Sequence, residues 1–534
     1  MNQQMLTPEE EAVRPATFES ILFSGSEPNG QTVRREAPEF FVDLNIDQIV
    51  SGITANREEY DLIPFFHTTL KRLEQVDYRY EVLQDFQNSA LLGHVRTFAR
   101  EMRTMRSHLA QAEKHYYKRQ KQRAFIEAVD CYCTAATQFA QSLTDSHLGS
   151  SGLRALREFL IGYVNSAEFS LLVAETRRVK SELSGIRYRL HIEGKRITVG
   201  KYEDEPDYRA DVLATFDKFK EGATKEYRFD HRFLLEMNHV EAAIVDLVVQ
   251  LYPEVFAFLD DYTARRARFV DDTIARFDRE VQFYIACIEY VEPLKRAGLP
   301  FCFPTVSDRS KQIFGNEVFD LALAARLVRE KAQIVTNDFS LKDPERVFVV
   351  TGPNQGGKTT FARTLGQLHY LASIGCPLPG QEAQLFLFDK LFTHFEKEED
   401  IRNLSGKLED ELLRIRAILE SATPNSILIM NESFLSTTLN DAIFLSKEVM
   451  QRIVALDMIC VSVTFLDELA SFSNSTVSMV STVNPADPAQ RTFKIIPRSA
   501  DGLAYAAAIA EKYRLTYDGV RTRVATNKPR RMAS

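Results

Sequence analysis

The chain has 534 residues, of which 45% are hydrophobic and 26% are charged. This globular composition excludes a mainly disordered protein, and the length predicts two or more domains. The formal net charge of -8 differs from the basic balance of a dedicated nucleic-acid binder, so any DNA contact is expected from a local patch. The sequence has no apolar run of about 18 residues, no export signal at its start and no C-x-x-C pair among its six cysteines, which predicts a cytoplasmic protein without a membrane segment.

The first part of the chain is predicted to be mostly helical. Residues 1–57 contain turn-forming residues and little periodicity, which predicts an irregular N-terminal extension. Within residues 58–330, apolar residues recur at alternating spacings of three and four at 91–109 and at 270–291. These patterns predict two long helices, the second of them coiled-coil-like. Alternating residues around a Gly-containing turn predict a β-hairpin at about residues 185–201.

In the remainder of the chain, short β-rich runs alternate with helical patterns. Three apolar runs, at residues 347–350, 427–430 and 458–461, predict buried strands. Strands that alternate with helices indicate an α/β domain with a mostly parallel sheet, predicted over residues 331–520. Residues 521–534 are predicted to be a basic C-terminal tail. The fold is therefore predicted to be mixed, with a mostly α-helical region followed by an α/β domain.

The first of these strands leads into a glycine-rich loop that satisfies the pattern G-x-x-x-x-G-K-[ST] and precedes a helical pattern. Glycines in this loop let successive backbone N–H groups converge on a phosphate at the positive end of the helix. Lys358 is placed to reach the β- and γ-phosphates, and the Thr359 hydroxyl to ligate Mg²⁺. This P-loop motif predicts binding of ATP or GTP. The predicted nucleotide-binding residues of the loop are Gly352, Pro353, Asn354, Gln355, Gly356, Gly357, Lys358, Thr359 and Thr360.

A second, acidic element is expected at the end of a neighbouring strand. The apolar run at 427–430 ends in Asn431-Glu432. Glu432 is predicted to be catalytic together with Lys358, because a carboxylate at this place can polarise the attacking water. Asn431 and Thr359 are the predicted metal ligands. Since an amide adds no negative charge, metal binding is expected to be weaker than with an aspartate.

Segments on both sides of this loop resemble the MutS family of DNA mismatch repair ATPases. The resemblance covers about residues 331–520 and includes GPNQGGKTT in the loop, V-T-N-D before it, IGCPLP after its helix and DGLAYA at 501–506. It implies an ATPase domain of ABC-like type that uses ATP and Mg²⁺ and works as a homodimer on DNA. It also implies that Asn337 belongs to the nucleotide site, and that Ser405 completes the site of the opposite subunit.

The sequence departs from the family in four respects. Asn431 stands where the family has Asp, and Phe465 stands where it has a His that senses the γ-phosphate. Residues 433–438, SFLSTT, replace I-G-R-G-T-S. These three departures predict slow hydrolysis rather than lost nucleotide binding. No mismatch-reading domain with a Phe-x-Glu wedge is recognised, so a MutS-related protein without that domain is predicted.

One basic run is a candidate DNA contact. Residues 114–123 combine the densest cluster of Lys and Arg with two adjacent tyrosines, a composition that can contact phosphates and stack on bases. The alternative is an ordinary solvated helix face. A second candidate is the basic hairpin at about 185–201, as a reduced form of the family's DNA clamp. The predicted DNA-contacting residues are Lys118, Arg119, Lys121 and Arg123.

The sequence thus predicts an ATP-binding, slowly hydrolysing dimeric ATPase that acts on DNA in mismatch repair or a related process. Two alternatives stay open. One is a nucleotide-binding scaffold or mechanochemical ATPase with a non-DNA partner. The other is a pseudoenzyme in which Asn431 and Phe465 mark the loss of hydrolysis. The response of ATP turnover to duplex or branched DNA separates the DNA-acting enzyme from the scaffold.

Overall fold

The computed structural model describes residues 18–25, 34–203, 237–396 and 406–500, together with the single residues 517 and 521. The chain divides into two compact units. The first unit contains residues 1–18 and 85–278, and the second contains residues 19–84 and 279–534. Each unit is therefore assembled from two separate stretches of sequence.

Helices supply most of the first unit, whereas most strands lie in the second. The α-helices of the described ranges are α1 (Phe40–Asp43), α2 (Ile46–Thr54), α3 (Ile63–His67), α4 (Leu73–Asp85), α5 (Ser89–Lys114), α6 (Lys118–Thr144), α7 (Ser151–Val164), α8 (Ala167–Ser184), α9 (His239–Leu251), α10 (Pro253–Arg265), α11 (Asp272–Arg296), α12 (Leu321–Glu330), α13 (Lys358–Ser373), α14 (Lys407–Ser421) and α15 (Leu439–Ala455). The strands are β1 (Tyr188–Glu193), β2 (Arg196–Lys201), β3 (Phe301–Cys302), β4 (Thr305–Ser307), β5 (Ile313–Val318), β6 (Asn337–Leu341), β7 (Val347–Thr351), β8 (Leu378–Pro379), β9 (Glu382–Phe386), β10 (Leu391–Phe395), β11 (Ile427–Asn431), β12 (Ile459–Val463), β13 (Thr476–Asn484) and β14 (Asp487–Pro497).

The first unit is built around the long helices α5 and α6. The apolar seam predicted in α5 is buried from Leu91 to Met105 and half-buried at Leu109, and Phe98 of α5 stacks on Phe139 of α6 with ring centroids 4.6 Å apart. The predicted hairpin is formed by β1 and β2, which pair antiparallel across a turn at Gly194 with φ +59°. Its side chains are exposed or half-buried. The hairpin therefore contributes little to the core of this unit.

The second unit contains a six-stranded sheet with the order β10-β11-β12-β7-β13-β14. Neighbouring strands are parallel except for β14, which pairs antiparallel with β13 at one edge. The three predicted strands are β7, β11 and β12, and every residue of β7 and β12 is buried. Such continuous burial is expected of central parallel strands that are covered on both faces. The prediction of a mixed helical and sheet fold is confirmed.

Helices α13, α14 and α15 position the functional segments against this sheet. Ile415 of α14, Ile453 of α15 and Leu428 of β11 belong to one buried apolar cluster. Helix α13, which follows the glycine-rich loop, is buried without a break over residues 364–373. Its N-terminus is thereby held rigidly at the carboxyl end of β7.

Residues 40–54 form α1 and α2, where an irregular segment was predicted. Gly366 of α13 lies directly against Leu44, because a Cβ added at Gly366 would come within 2.7 Å of the Leu44 side chain. The Gln367 amide of α13 donates to the Leu44 carbonyl at 2.8 Å. The expectation of an irregular segment is wrong here, and an apolar stripe at helical spacing was the available signal. The stripe consists of Ile46, Ile49, Val50 and Ile53.

The change from helical to mixed structure lies near residue 300 rather than near 330. Strands β4 and β5 join β6 and β9 in a four-stranded sheet of order β4-β9-β5-β6, and β3 pairs with β8. The early strands are two to six residues long. Runs this short show little alternation, so the sequence pattern did not reveal them.

Helix α11 differs from the predicted coiled-coil-like helix. All of its residues from 280 to 287 are buried. A coiled-coil helix buries only a seam and leaves its other positions exposed. This part of α11 is therefore a core helix that is enclosed on every side.

No single helix in the described ranges is long and apolar enough to cross a bilayer. Helices α9 and α10 reach the required length and apolarity only when they are taken together, and a bend of 105° separates them.

Candidate functional site

A cavity of about 730 Å³ lies beside the N-terminus of α13 in the second unit. This volume is within the usual range of about 300–1,000 Å³ for small-molecule sites. One wall consists of the loop residues 354–360 and Glu432. Other lining residues form an apolar wall that includes Phe319, Leu323 and Leu327. The cavity thus combines a polar loop with an apolar surface.

The glycine-rich loop needs glycine for two different reasons. Gly352 and Gly357 have φ values of +111° and +91°, in the region that side chains other than glycine rarely adopt. At Gly356 the reason is space, because an added Cβ would lie 2.2 Å from the Ser481 Oγ. The Ser481 hydroxyl donates to the Gly356 carbonyl at 2.7 Å. Strand β13 therefore fixes the loop from behind.

Lys358 is the first residue of α13 and is only 4% exposed. Its Nζ donates to the carbonyl oxygens of Gly352 and Pro353 at 3.0 and 3.1 Å and contacts Asn354 Oδ1 at 3.5 Å. Burial lowers the pKa of Lys358 below its ordinary value, while the charge of Glu432 acts in the opposite direction. The loop therefore holds a buried cation that is surrounded by neutral oxygens.

Thr359 and Asn431 meet although they are 72 residues apart in the sequence. The Thr359 hydroxyl donates to Asn431 Oδ1 at 2.8 Å. Both side chains offer oxygen atoms, the ligand type that Mg²⁺ prefers. Within the described ranges, no group of three or more His, Cys, Asp or Glu residues could hold a metal ion. A Mg²⁺ ion at this pair would need further oxygen ligands, such as waters or the oxygens of a bound phosphate chain.

Glu432 directly follows β11 and lines the cavity. Its backbone has φ +53°, and its amide donates to the Val463 carbonyl of β12 at 2.9 Å. Its charge raises the pKa of Lys358 against the effect of burial. The structure thus brings Lys358, Thr359, Asn431 and Glu432 to one site.

Most of the other predicted site residues also lie at the cavity. Gln355, Gly356, Gly357, Thr360 and Asn337 also line the cavity. The Asn337 side chain accepts from the Ile495 amide at 2.7 Å and donates to the Phe493 carbonyl at 3.2 Å, so it holds β14 in place. Ser405 and the tail at 521–534, apart from residue 521, lie outside the described residues.

Phe465, which stands where the resemblance has a His, is 47% exposed and is not among the residues that line the cavity. It follows β12 by two residues. The position that the resemblance assigns to a γ-phosphate sensor is therefore occupied by an exposed aromatic ring.

Several residues around the cavity were not predicted from the sequence. Phe493 of β14 lines the cavity, and the Arg491 guanidinium donates to the Asn354 carbonyl of the loop at 3.2 Å. The apolar wall comes from α12 and its flanks, which lie well before the loop in the sequence. No local motif marks these residues, since their role depends on the packing of β14 and α12.

The four predicted DNA contacts do not form one free basic patch. Lys118 and Arg119 both donate to the Asp260 carboxylate, at 2.8 and 2.5 Å. Burial raises the pKa of Asp260, but hydrogen bonds from Lys118, Gln122 and Arg119 outweigh this effect and hold it below its ordinary value. Lys121 and Arg123 are exposed. Two of the four cations are therefore engaged within the first unit.

Comparisons with known proteins find a family match over the segment that contains the glycine-rich loop. The family model for MutS domain V matches residues 348–515. The DNA mismatch repair protein MSH3 of Eremothecium gossypii is 25% identical over 288 residues, which cover 51% of this chain and 26% of that protein. The DNA mismatch repair protein MutS of Halalkalibacterium halodurans is 25% identical over a segment that covers 53% of this chain and 31% of that protein. The DNA mismatch repair protein MutS of Rickettsia rickettsii is 29% identical over a segment that covers 45% of this chain and 27% of that protein. The chain thus spans about a quarter to a third of the length of these relatives.

Proposed function

We propose that this chain, which belongs to the MutS family through its domain V, binds ATP together with Mg²⁺ and hydrolyses it slowly. In this proposal the second unit contains a P-loop ATPase domain of ABC-like type. The proposal depends mainly on one observation, the buried ammonium of Lys358 at the N-terminus of α13.

A buried cation is costly unless a negative charge accompanies it. The hydrogen-bond acceptors of the Lys358 ammonium in the described part of the chain are two carbonyls and one amide, and all three are neutral. Glu432 is a negative charge near this ammonium but does not accept a hydrogen bond from it among the contacts given above. A phosphate chain in the cavity would supply negative charge in direct contact with Lys358. It would also meet the backbone N–H groups and the positive dipole end of α13.

The remaining residues fit the chemistry of phosphoryl transfer. Thr359 and Asn431 would hold Mg²⁺, which neutralises charge on the phosphates when it is bound. Glu432 would orient the attacking water, since its carboxylate belongs to the same cavity as Lys358. Hydrolysis would be slow because Asn431 gives no negative charge and Phe465 cannot act as a γ-phosphate sensor.

The wider role is proposed from the family. The relatives are DNA mismatch repair proteins by name, and we assign this chain a role in that process or a related one. In the same proposal two copies form a homodimer, in which Ser405 of one subunit completes the nucleotide site of the other.

The competing proposal is a scaffold or mechanochemical ATPase with a non-DNA partner. It is favoured by the net charge of -8 and by the ion pairs that occupy Lys118 and Arg119. ATP turnover measured with and without duplex and branched DNA at two salt concentrations distinguishes the two. A DNA-dependent rate that weakens at higher salt supports the DNA-acting enzyme, and a rate that no DNA changes supports the scaffold.

The nucleotide assignment is tested by comparing Lys358→Ala with Lys390→Ala. Lys390 is a matched control, because its Nζ also donates to a backbone carbonyl, that of Ser421 at 2.8 Å, but it does not line the cavity. A hydrogen bond to a charged group is worth roughly 1.5–3 kcal/mol, so Lys358→Ala should weaken ATP binding about ten- to a hundredfold. Lys390→Ala should bind as the wild type does. Equal ATP affinity of Lys358→Ala and wild type in a titration would refute the proposed site.

A further inference from the structure

The turn that follows β11 has an unusual backbone. Glu432 and Phe434 have φ values of +53° and +63°. For residues other than glycine this left-handed region is energetically unfavourable. Such conformations persist only where the surroundings hold them in place, and they are frequent at functional sites. Contacts outside the turn must therefore maintain it.

Three contacts hold the turn. The Glu432 amide is bonded to the Val463 carbonyl, as described above. The Phe434 ring is fully buried in the apolar cluster between α14, α15 and the sheet. The Phe434 amide donates to Glu411 Oε1 of α14 at 3.0 Å. In the last contact, a side chain of another element accepts a hydrogen bond from the backbone of the turn.

Glu411 is itself built into the protein interior. It is 4% exposed, and its Oε1 lies 3.7 Å from Nε2 of His394 on β10, which is 1% exposed. Burial raises the pKa of Glu411, but His394 and the Phe434 amide outweigh burial and hold the pKa below its ordinary value. An ionised carboxylate in this position is a strong acceptor for the Phe434 amide.

We propose that Glu411 is a positioning residue for Glu432. Its carboxylate fixes the Phe434 amide, and this contact holds the left-handed turn that directs the Glu432 side chain to the cavity. The inference rests on the proposed ATPase function, since Glu432 has a task only if a nucleotide occupies the cavity. Glu411 does not line the cavity and therefore acts through the turn.

A purely structural role for Glu411 makes a different prediction. If the carboxylate only supported the fold, its loss would lower ATP affinity and catalysis together, in step with the loss of stability. A positioning role instead predicts that ATP affinity is retained, because Lys358 and the loop are unchanged, while kcat falls. The split between affinity and kcat therefore distinguishes the two roles.

The experiment compares Glu411→Gln and Glu411→Met with the wild type. Glutamine keeps an acceptor oxygen for the Phe434 amide, whereas methionine has similar length and volume but no such acceptor. The same two substitutions at Glu420 are the control, because Glu420 lies on α14 with its side chain 61% exposed, paired with Arg416. Three quantities are measured: ATP affinity, kcat, and hydrogen exchange of the Phe434 amide.

We expect Glu411→Met to bind ATP within about twofold of wild type, to lose at least about tenfold in kcat, and to exchange the Phe434 amide at least about tenfold faster. Glu411→Gln should retain most of kcat, and both Glu420 variants should behave as wild type. Unchanged kcat and amide exchange in Glu411→Met would overturn the inference. So would a loss of ATP affinity equal to the loss of kcat. Failure of the proposed function has another signature, since the wild type would then not bind ATP at all.

Discussion

The glycine-rich loop and the turn after β11 face the same cavity and meet the same backbone requirement in different ways. The loop places glycine at two of its left-handed positions, Gly352 and Gly357, although Gln355 is also left-handed. The turn places Glu432 and Phe434 in that region. In the loop, the residue type supplies the conformation. In the turn, contacts with other parts of the protein must enforce it.

This difference determines how far the conformation of each segment depends on residues elsewhere in the protein. Glycine adopts the left-handed conformation at Gly352 and Gly357 without outside support, so the sequence pattern of the loop is recognisable by itself, although β13 also contacts the loop. The turn keeps its shape only while Glu411 and the core around Phe434 are in place. The proposed catalytic side of the site is therefore more dependent on distant residues than the proposed phosphate-binding side.

The largest expected effects come from alanine and glycine substitutions at two positions, Phe434 and Gly357. Phe434→Ala should lose about 3–5 kcal/mol of unfolding free energy, because a fully buried ring is removed. Phe434→Gly should be about 1 kcal/mol more stable than Phe434→Ala, because glycine relieves the left-handed strain. Gly357→Ala should lose about 1 kcal/mol for the same reason, since its added Cβ has room at 3.7 Å. Urea unfolding measures all of these changes.

Ile415 of α14 is the control for this set, because it is buried in the same cluster but has an ordinary helical backbone. There the order should reverse, with Ile415→Gly about 1 kcal/mol less stable than Ile415→Ala. If alanine were the better replacement at position 434 as well, the left-handed turn would not be strained. The proposed difference in how the loop and the turn maintain their left-handed residues would then be wrong.

A smaller effect is expected at the junction of the two segments, where Thr359 of the loop side meets Asn431 of the turn side. Asn431→Asp is nearly isosteric and adds a negative charge beside the proposed metal position. The Mg²⁺ concentration needed for half-maximal ATP turnover should fall about tenfold, and the rate should rise. Mg²⁺ titrations of turnover for both proteins provide the measurement.

Asn425→Asp is the matched control, because Asn425 lies just before the other end of β11 and does not line the cavity. It should leave the Mg²⁺ midpoint unchanged. The opposing possibility is that the new carboxylate is crowded by Glu432, which would raise a carboxylate pKa instead. An unchanged or higher Mg²⁺ midpoint for Asn431→Asp would show that the amide is not what limits the metal site.

The smallest expected effect on stability is at Asp457. This residue also has a left-handed backbone, and its side chain makes contacts that stabilise that conformation. Its φ is +55°, and its carboxylate pairs with Lys311 at 2.8 Å and with Arg346 at 2.7 Å. Burial raises its pKa, but these two cations outweigh burial and hold the pKa below its ordinary value near 3.8. Its stabilising contribution is thus complete above the unfolded-state pKa and is lost as pH falls through the lower folded-state pKa.

Asp457→Asn should cost about 0.5 kcal/mol at pH 7, since the carboxylate is largely exposed and asparagine tolerates the left-handed backbone. The difference from wild type should shrink as the pH is lowered toward the acid limit of the folded state. Urea unfolding across this pH range measures it. A difference that is independent of pH would mean that the ion pairs do not stabilise this turn.

The same contrast explains how much could be predicted from the sequence. The loop, its flanking strand and helix, and the neighbouring strands β11 and β12 were predictable because their signals are local. The apolar stripe of α5 was predictable for the same reason. Lys358, Thr359, Asn431 and Glu432 were also predicted as site residues, and the structure brings their positions together.

The remainder depends on packing that single-sequence patterns do not encode. Strands β4 and β5 are short and are defined by their pairing with β9 and β6. The apolar wall of the cavity comes from α12, which no motif links to the loop. The positive φ of Phe434 is held by contacts with Glu411 and the surrounding core, which lie outside the local sequence of the turn.

The contact between Gly366 and Leu44 has a consequence for any attempt to isolate the part of the protein that contains the glycine-rich loop. Helix α13 has no side chain at Gly366, and Leu44 fills the space that this leaves. A recombinant fragment cut at residue 331 would lack Leu44 and would expose a groove on the helix that begins with Lys358. The smallest autonomous fragment therefore has to join two distant stretches of chain, or to receive the segment that contains α1 and α2 as a separate complementing peptide.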